Sequence, residues 1–597
     1  MKRLKQINKR GNMDIKEAFL KDGFRLTKSY TINQATGYVA ESINSINHLN
    51  RKPKKAYYLE GSAYEMGFQM GYLANKEVRS MVKHFPNAIF SGLIDPTASK
   101  CVQKFVTGIL LMFVKSKLSS VTPDIPQAYI DEANGMVDGI KKARKPWQLK
   151  NPDFSDIWAM NIGMDIMMAY FSNPDKFLEE LADFIQNLSL CKRYLHGFRK
   201  YKPQANQFRF PHFCNAYSAF GEAVSDKDTH FFGRDWMLNG GNVLAKCAAL
   251  MIVKPTDGRQ PIAMAAAPGL IGSALAVNLH GVAMGVDMAT GVNADRERPG
   301  FNSILLVRDC VHTCDSAASV ADKVTKAQRG TPFIYPVSDG KLNEACVIEA
   351  GMNIKDLDPL SYPSDEVKKS LPDQAFLDSH AEKPVNGAFV RWNHYKQPSI
   401  FIEKFNPGLF ELFDKNFNSA SWGENGFVFS KPYDDSNAFG YYYFNPQRET
   451  HNDLILATNS WLSPHLNICS MGALINALSE TFKSDLQWRY DLLNQTLLKN
   501  YGKLDWDSAW ASINFLSPTI GEGPGKQYYM VQTTPPVLPC PWNLPTVKYR
   551  DKDGKKKTTW RVDGMTNLCE LRKEKKIRSL YGTYADNPVE ITLINYV

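Results

Sequence analysis

The stretch FPHFCNAYSAFGEA, residues 210–223, followed by HFFGRDW at residues 230–236, places a lone cysteine between an aromatic run and a run of small residues. A cysteine in apolar surroundings is usually a small buried hydrophobe. Here a hairpin starting at Cys214 would return Arg234 and Asp235 to the thiol. Arg234 would then favour the thiolate by its opposite charge, while Asp235 could orient an amine or the substrate. The stretch therefore predicts a nucleophile at Cys214.

The composition is that of a large globular protein. The 597 residues are 44% hydrophobic, 22% charged and 12% aromatic, which is ample material for a large core and shows no signature of disorder. Much of the net charge of +10 lies in the opening MKRLKQINKR and in KYRDKDGKKKTTWR near the other end. Acidic residues are interleaved elsewhere, so the charge indicates solubilising surface segments and no nucleic-acid partner.

Cysteine usage and the amino-terminal sequence bear on localisation. The ten cysteines are scattered without a CxxC pair, which favours a reducing compartment. The segment MDIKEAFLKDG has no apolar core of a signal peptide, and no run of about 18 apolar residues stands out. We expect a soluble cytoplasmic protein without membrane contact, with export by a route lacking a cleavable signal left open.

The spacing of apolar residues changes along the chain. Residues 1–50 are expected to form a basic tail and a polar helical lead-in, and residues 51–213 a mainly helical segment. In the latter, Gly67 and Gly71 share one helix face and permit close backbone approach. Residues 214–597 alternate short apolar runs with helical patterns and form an α/β remainder. The aromatic, poorly periodic stretch at about 355–450 is expected to be an insertion.

Two asparagines stand at predicted strand ends. Asn278 lies in AVNLHG and Asn459 in ATNSWLSP. A side-chain amide held at a strand end can donate a hydrogen bond to a developing oxyanion. The alternative for each is an ordinary turn residue.

Other candidate sites are weaker. A Cys–His dyad would use His212, His280 or His394 as the base. In CVHTC, Cys310 and Cys314 share a helix face while His312 points away, so core packing is favoured over a metal site. Glu349 either orients the site or is a surface carboxylate at a strand end. No GxxxxGK[ST] motif occurs. We expect no cofactor and no metal.

Several separated segments, taken in order, resemble N-terminal-nucleophile hydrolases related to fungal acyl-coenzyme A:isopenicillin N acyltransferase. More distantly, they are similar to choloylglycine hydrolases and phospholipase B-like proteins. The segments are GSAYEMGFQMGYLA, EANGMVDGI, CNAYSAFGEA with FFGRDW, APGLIGSALAVNLHGVAMGVD, EACVIEA, ATNSWLSP and RYDLLNQTLLKNYGKLD.

The resemblance implies an α+β fold, a four-layer αββα sandwich with two stacked antiparallel sheets. It implies that the chain cuts itself between Phe213 and Cys214, and that the helical pro-segment 51–213 stays associated with the catalytic domain 214–597. The new α-amine would serve Cys214 as its base, because an α-amine has a pKa near 8. Asn278 and Asn459 would stabilise the oxyanion, and an acyl-Cys214 would pass its acyl group to water or to an amine.

The sequence also departs from the family. GRDW is shorter than the usual Gly-Arg-Asn-x-Asp-Trp, which leaves the match of Asp235 open. TNSW replaces Thr-Asn-His, and Asn393-His394 forms a rival Asn-His pair. The expected substrate is a small-molecule amide, a thioester or a lipid. The alternatives are a phospholipase B-like hydrolase or lipid amidase on the same scaffold, and an inactive, unprocessed binding protein.

Overall fold

The structure is a computed structural model that describes residues 14–90, 100–146, 150–172, 174–187, 214–239, 243–289, 291, 293–363, 365–405, 444–470, 480–516, 546–550, 555–560, 562–583 and 586–597. His212 and the Phe213–Cys214 bond lie outside these residues. Within them the chain is a mixed α+β protein with large sheets, which confirms the fold class at that level.

The helices have the following bounds: α1 Ile15–Lys21, α2 Ala63–Leu73, α3 Asn75–Phe90, α4 Lys100–Ser116, α5 Leu118–Val121, α6 Gln127–Lys142, α7 Phe154–Phe171, α8 Pro174–Asn187, α9 Val243–Cys247, α10 Ser303–Thr313, α11 Ala317–Lys326, α12 Asp365–Lys368, α13 Gln374–His380, α14 Ile400–Phe405, α15 Pro464–Ser470, α16 Glu480–Lys499 and α17 Trp506–Asn514.

The strands have the following bounds: β1 Phe24–Ile32, β2 Ala35–Asn47, β3 Lys52–Gly61, β4 Cys214–Phe220, β5 His230–Asn239, β6 Ala249–Pro255, β7 Ile262–Ala266, β8 Leu275–Asn278, β9 Val282–Gly285, β10 Asp287–Met288, β11 Phe333–Asp339, β12 Glu344–Ala350, β13 Ala388–Trp392, β14 Leu454–Ala457, β15 Thr546–Arg550, β16 Lys556–Trp560, β17 Val562–Glu570, β18 Lys576–Leu580 and β19 Val589–Thr592.

Two sheets dominate the fold. The 11-stranded sheet has the order β1-β2-β3-β6-β7-β8-β9-β11-β12-β13, with β10 paired to β11. The six-stranded sheet has the order β14-β4-β5-β17-β18-β19. The pairings among these strands are antiparallel except for β3 with β6, which run parallel from Lys55↔Ala249 to Gly61↔Pro255. The expected antiparallel arrangement therefore fails at this one junction, where the long connection, helical in most of its described residues, supplies the crossover that a parallel pair requires.

The two sheets lie face to face, and helices cover their outer faces. The Ser218 hydroxyl on β4 hydrogen-bonds that of Ser338 on β11, which joins the sheets across their shared interior. On the far side of the large sheet, the Tyr335 hydroxyl accepts a bond from the backbone N–H of Ser303, the first residue of α10. On the far side of the smaller sheet, the Tyr217 hydroxyl donates to Ala509 O of α17 at 2.7 Å. The first strand after the predicted cut thus lies in the middle of the molecule.

In the described part of the lead-in, residues 14–50, the helix α1 is followed by the strands β1 and β2 and by no further helix. Residues of β2 alternate between buried and partly exposed positions from Ala35 to Tyr38, which is the period of a strand. Together β1, β2 and β3 extend the large sheet. The proposed insertion also contributes to this sheet, because β13 pairs with β12.

The close helix approach expected at Gly67 and Gly71 is confirmed. Helix α2 crosses α6 with glycines on both sides of the contact. A Cβ added at Gly67 would lie 1.9 Å from the Glu132 carbonyl oxygen, and one at Gly135 would lie 2.0 Å from that of Tyr64. The crossing therefore excludes any side chain at these positions.

One helical stretch of the described chain, Cys101–Asp124, is long and apolar enough to cross a membrane, with a mean hydropathy of 1.3. A buried helix in the core of a soluble protein meets the same criteria, so this stretch does not establish a membrane span. The expectation that no such stretch exists missed it because lysines interrupt the apolar run.

Candidate active site

Cys214 begins β4, and the antiparallel register decides which side chains surround it. Cys214 pairs with Trp236, Asn215 with Asp235, and Ala216 with Arg234. Directly opposed residues point to the same face of a sheet, and neighbours along a strand point to opposite faces. Arg234 therefore shares the thiol face, which is turned toward the large sheet, whereas Asp235 lies on the other face with Asn215.

The backbone of Cys214 is held by Asn459 and Arg489. The Cys214 N–H donates to Asn459 Oδ1 at 3.0 Å. Arg489 of α16 donates from Nη1 to the Cys214 carbonyl and from Nη2 to Asn459 Oδ1, both at 3.0 Å. The Asn459 amide nitrogen donates to Met288 O at 2.6 Å. The nitrogen that a cut before Cys214 would free thus already has an oriented acceptor.

The thiol itself is buried, with Cys214 only 2% exposed. Burial raises the pKa of the Cys214 thiol to about 12. The positive charge of Arg234 and the backbone N–H of Met237 act in the opposite direction, while Asp287 and Asp235 add to the rise. In the intact chain the thiol is therefore neutral near pH 7.

Arg234 is fully buried and forms an ion pair on the thiol face. Its Nη2 donates to Val286 O and lies 3.1 Å from Asp287 Oδ1. Its stem crosses Gly285, where an added Cβ would lie 2.6 Å from Arg234 Cδ. Among the residues that the structure describes, the other two guanidinium nitrogens have no hydrogen-bond partner.

The Asp235 carboxylate is hydrogen-bonded to Asn215 of β4 and lies on the face opposite the thiol. Its Oδ1 accepts from Asn215 N at 2.7 Å, and its Oδ2 accepts from Asn215 Nδ2 at 2.8 Å. Arg489 Nη1 reaches the same Asn215 side chain at 2.6 Å. Burial raises the pKa of Asp235 to about 8, against the bonds from Asn215. The structure thus brings Asp235 beneath Cys214 but on the wrong face to orient an amine or substrate through its side chain.

The structure does not bring Asn278 to the thiol. The Asn278 amide nitrogen donates to Val311 O and Cys314 O, at 2.9 and 2.8 Å. Its oxygen accepts from the N–H groups of His280 and Val282, both at 3.0 Å. Val282 lies five residue steps before Asp287, which packs beside β4, and five steps of extended chain span about 16 Å. Asn278 is the turn residue that the sequence allowed as its alternative.

The remaining candidate residues are either exposed or bonded to backbone oxygens. His280 and His394 are exposed. Asn393 donates to Asn452 O. His312 is buried and bonds to Gln260 O at 2.6 Å. Within the described ranges, no group of three or more potential metal ligands occurs.

Glu349 is fully buried and holds the loop that carries Asn459. Its carboxylate accepts from the backbone N–H groups of Leu462, at 3.1 Å, and Ser463, at 2.8 Å. Arg391 donates to it at 3.3 Å and also to Leu456 O at 2.8 Å, so the pair brackets the loop. Burial raises the pKa of Glu349. Its buried position agrees with a role in orienting the site and not with a surface carboxylate at a strand end.

Three residues of the site were not among those predicted from the sequence: Asn215, Asp287 and Arg489. Asn215 could have been predicted, because it directly follows the nucleophile and its side chain faces the helix layer. A buried polar side chain in that position must have hydrogen-bond partners. Asp287 and Arg489 gave no local signal, since the stacking of two sheets and a helix brings them to Cys214.

Comparisons with known proteins leave the family open. No protein-family model matches the sequence. The chain is 24% identical over 515 residues to an uncharacterized protein of Archaeoglobus fulgidus, covering 86% of this chain. It spans 64% of that relative's length. Among solved structures it is similar to a mutant of a conjugated bile acid hydrolase from Clostridium perfringens. That likeness has a TM-score of 0.30 and 10% identity, covers 63% of this chain and 92% of the other, and is too distant to carry an argument.

Proposed function

We propose that the chain is a self-processing cysteine amidohydrolase or acyltransferase of the N-terminal-nucleophile class, with Cys214 as its nucleophile. The observation that carries the proposal is the environment of the Cys214 backbone. Its nitrogen lies 3.0 Å from Asn459 Oδ1, and Arg489 holds both its carbonyl and Asn459. The order of layers, helices outside two facing sheets, supports the αββα assignment.

The proposed reaction begins with the cut before Cys214. The freed α-amine, with a pKa near 8, takes the thiol proton near neutral pH. The sulfur attacks the carbonyl of an amide or thioester, and the leaving group departs with a proton. Water then releases a carboxylic acid, whereas an amine would take the acyl group. Arg234 favours the thiolate, and Asn459 holds the α-amine through Oδ1.

The two fragments are expected to stay associated after the cut. The parallel pairing of β3 with β6 joins residues 55–61 to residues 249–255. Asn161 of α7 accepts from Ile271 N at 2.6 Å and donates to Gly269 O at 3.0 Å. Shared sheet bonds and buried polar contacts of this kind do not depend on an intact bond at residue 213.

The test of the proposal is the state of the purified chain. On a denaturing gel the wild type should give two fragments, and the larger should begin Cys-Asn-Ala-Tyr on amino-terminal sequencing. Cys214→Ala should abolish the cut. Cys346→Ala is the matched control, because Cys346 is a buried strand cysteine of the large sheet and should leave the cut intact. A wild type that stays one chain, with Cys214 unlabelled by thiol reagents, would support the inactive binding protein.

The substrate class needs a separate measurement. Mass spectrometry of the processed protein, incubated with N-acyl amides, acyl thioesters and phospholipid esters in turn, should detect an acyl group on the fragment that begins with Cys214. Adducts from the amides and thioesters support the proposal. An adduct from phospholipid esters alone would favour the phospholipase B-like alternative.

A further inference from the structure

Self-cleavage raises a question about proton transfer, and the inference that answers it rests on the proposed function. Before the cut, the Cys214 nitrogen is part of an amide and has no basic lone pair. The base proposed for the mature enzyme is therefore absent from the intact chain. Burial also holds the thiol in its neutral form. Some other group must take the thiol proton as the sulfur attacks.

Two carboxylates raise the pKa of the Cys214 thiol, and among the described residues only one of the two has an oxygen without a hydrogen-bond partner. Asp235 has Oδ1 and Oδ2 engaged by Asn215, on the opposite face of the strand. Asp287 lies on β10, which packs against β4 across the interior. Its Oδ1 is paired with Arg234, on the thiol face. Its Oδ2 is buried and has no hydrogen-bond partner in the described parts of the chain.

An unpartnered carboxylate oxygen is costly to bury, and beside a nucleophile such an oxygen is free to accept a proton. Asp287 is fully buried, so solvent does not satisfy Oδ2. The paired Arg234 fixes the carboxylate beside the nucleophile and leaves this oxygen as the available acceptor. The arrangement is that of a base held in place by its ion-pair partner.

We propose that Asp287 is the base that drives self-cleavage of the intact chain. Asp287 Oδ2 takes the proton from Cys214 Sγ as the sulfur attacks the Phe213 carbonyl carbon. The carbon–nitrogen bond then breaks, and the proton passes from Asp287 to the departing Cys214 nitrogen. This leaves a thioester between Phe213 and Cys214. Water hydrolyses the thioester, which frees the Phe213 carboxylate and restores the thiol, so the net reaction adds one water.

The pH dependence of cleavage follows from the surroundings of Asp287. Burial raises the pKa of Asp287 to about 6, and the charges of Arg234 and Arg489 oppose that rise. Of the other titrating groups, Cys214 shares this face of the smaller sheet with Arg234, and Asp235 lies on the opposite face. A base must be unprotonated, so the cleavage rate should fall as pH drops below about 6 and level off above it.

The experiment follows cleavage of the full chain after cell-free translation, by denaturing gel, from pH 5 to pH 8. Asp287→Asn should slow cleavage by about 10²-fold or more and abolish the dependence near pH 6. Asp287→Glu, which keeps the carboxylate, should cleave faster than Asp287→Asn. Hydroxylamine, which attacks thioesters, should not restore Asp287→Asn, because the block precedes the thioester.

Asp165→Asn is the matched control. Asp165 is also a buried carboxyl with an unpartnered oxygen, but it lies in α7 on the outer side of the large sheet. It should leave the cleavage rate unchanged. If Asp287→Asn cleaves at the wild-type rate, the role of Asp287 is overturned and the proposed function stands. If the wild type never cleaves, both fall. If Asp287→Asn does not fold, a flat wild-type profile from pH 5 to pH 8 still overturns the inference.

Discussion

At the scale of single residues, Asn278 and Asn459 have different roles, although both lie at predicted strand ends. Both polar atoms of the Asn278 side chain are hydrogen-bonded to backbone groups. Asn278→Ala should lower the free energy of unfolding by about 2 to 4 kcal/mol, because it leaves buried backbone groups unpaired. Asn459→Ala should instead slow cleavage at Cys214 by roughly 10²-fold with a smaller loss of stability, because it removes the acceptor that orients the Cys214 nitrogen. Urea denaturation and timed gels measure the two effects.

The two variants serve as controls for each other. Cleavage by Asn278→Ala should proceed at the wild-type rate at temperatures where the variant is folded. A selective loss of cleavage in Asn278→Ala, with stability unchanged, would return Asn278 to the site and contradict its assignment as a turn residue.

The buried carboxyl of Asp165 should make the stability of the protein depend on pH. Burial raises its pKa to about 8, against a bond from Ser303. The unfolded chain releases this proton near pH 4. Folding therefore loses stability as pH rises from about 4 to 8. Asp165→Asn cannot ionise, so its melting temperature should match the wild type near pH 4 and exceed it at pH 8. A difference that stays constant with pH would contradict this.

At the scale of elements, the crossing of α2 and α6 depends on backbone contact. Gly67→Ala would force a Cβ to within 1.9 Å of the Glu132 carbonyl. It should destabilise the protein by about 1 to 3 kcal/mol or more, since neither helix can yield without moving the other. Gly108→Ala is the control, because a Cβ at this position in α4 meets nothing within 4 Å. It should stabilise by about 0.5 to 1 kcal/mol. Thermal melts of both variants decide the question.

Elements with a clear period were predictable from the sequence, and those made by long-range contacts were not. Helices α2, α10 and α11 follow apolar spacing that the sequence displays. Strands β1 to β3 were missed because their polar residues concealed a period of two. The parallel pairing of β3 and β6 depends on distant segments, which local patterns do not encode.

The same division applies to the site. Proximity of Arg234 to Cys214 follows from one hairpin and was foreseeable. The opposite orientation of Asp235 was also foreseeable, because adjacent residues of a strand point to opposite faces. Asp287 and Arg489 reach the site only through the stacking of the sheets and α16. No spacing within the sequence predicts that arrangement.

At the scale of the whole molecule, a buried ion pair joins the front of the chain to the part beyond Cys214. Glu132 of α6 and Arg308 of α10 form two bonds of 2.9 and 2.8 Å. Both side chains are almost completely buried. If the chain is cut before Cys214, this pair spans the two fragments and contributes to holding them together.

Glu132→Gln should therefore weaken fragment association by about 3 to 5 kcal/mol, because it leaves the Arg308 charge buried without its counter-ion. The double variant Glu132→Leu with Arg308→Met should recover most of that loss, since no charge then remains to be desolvated. Asp322→Asn, which removes an exposed ion pair with Lys326, should cost less than about 0.5 kcal/mol. Co-elution of the fragments in increasing urea measures all three variants. A Glu132→Gln protein as resistant as Asp322→Asn would show that the Glu132–Arg308 pair does not help to hold the halves together.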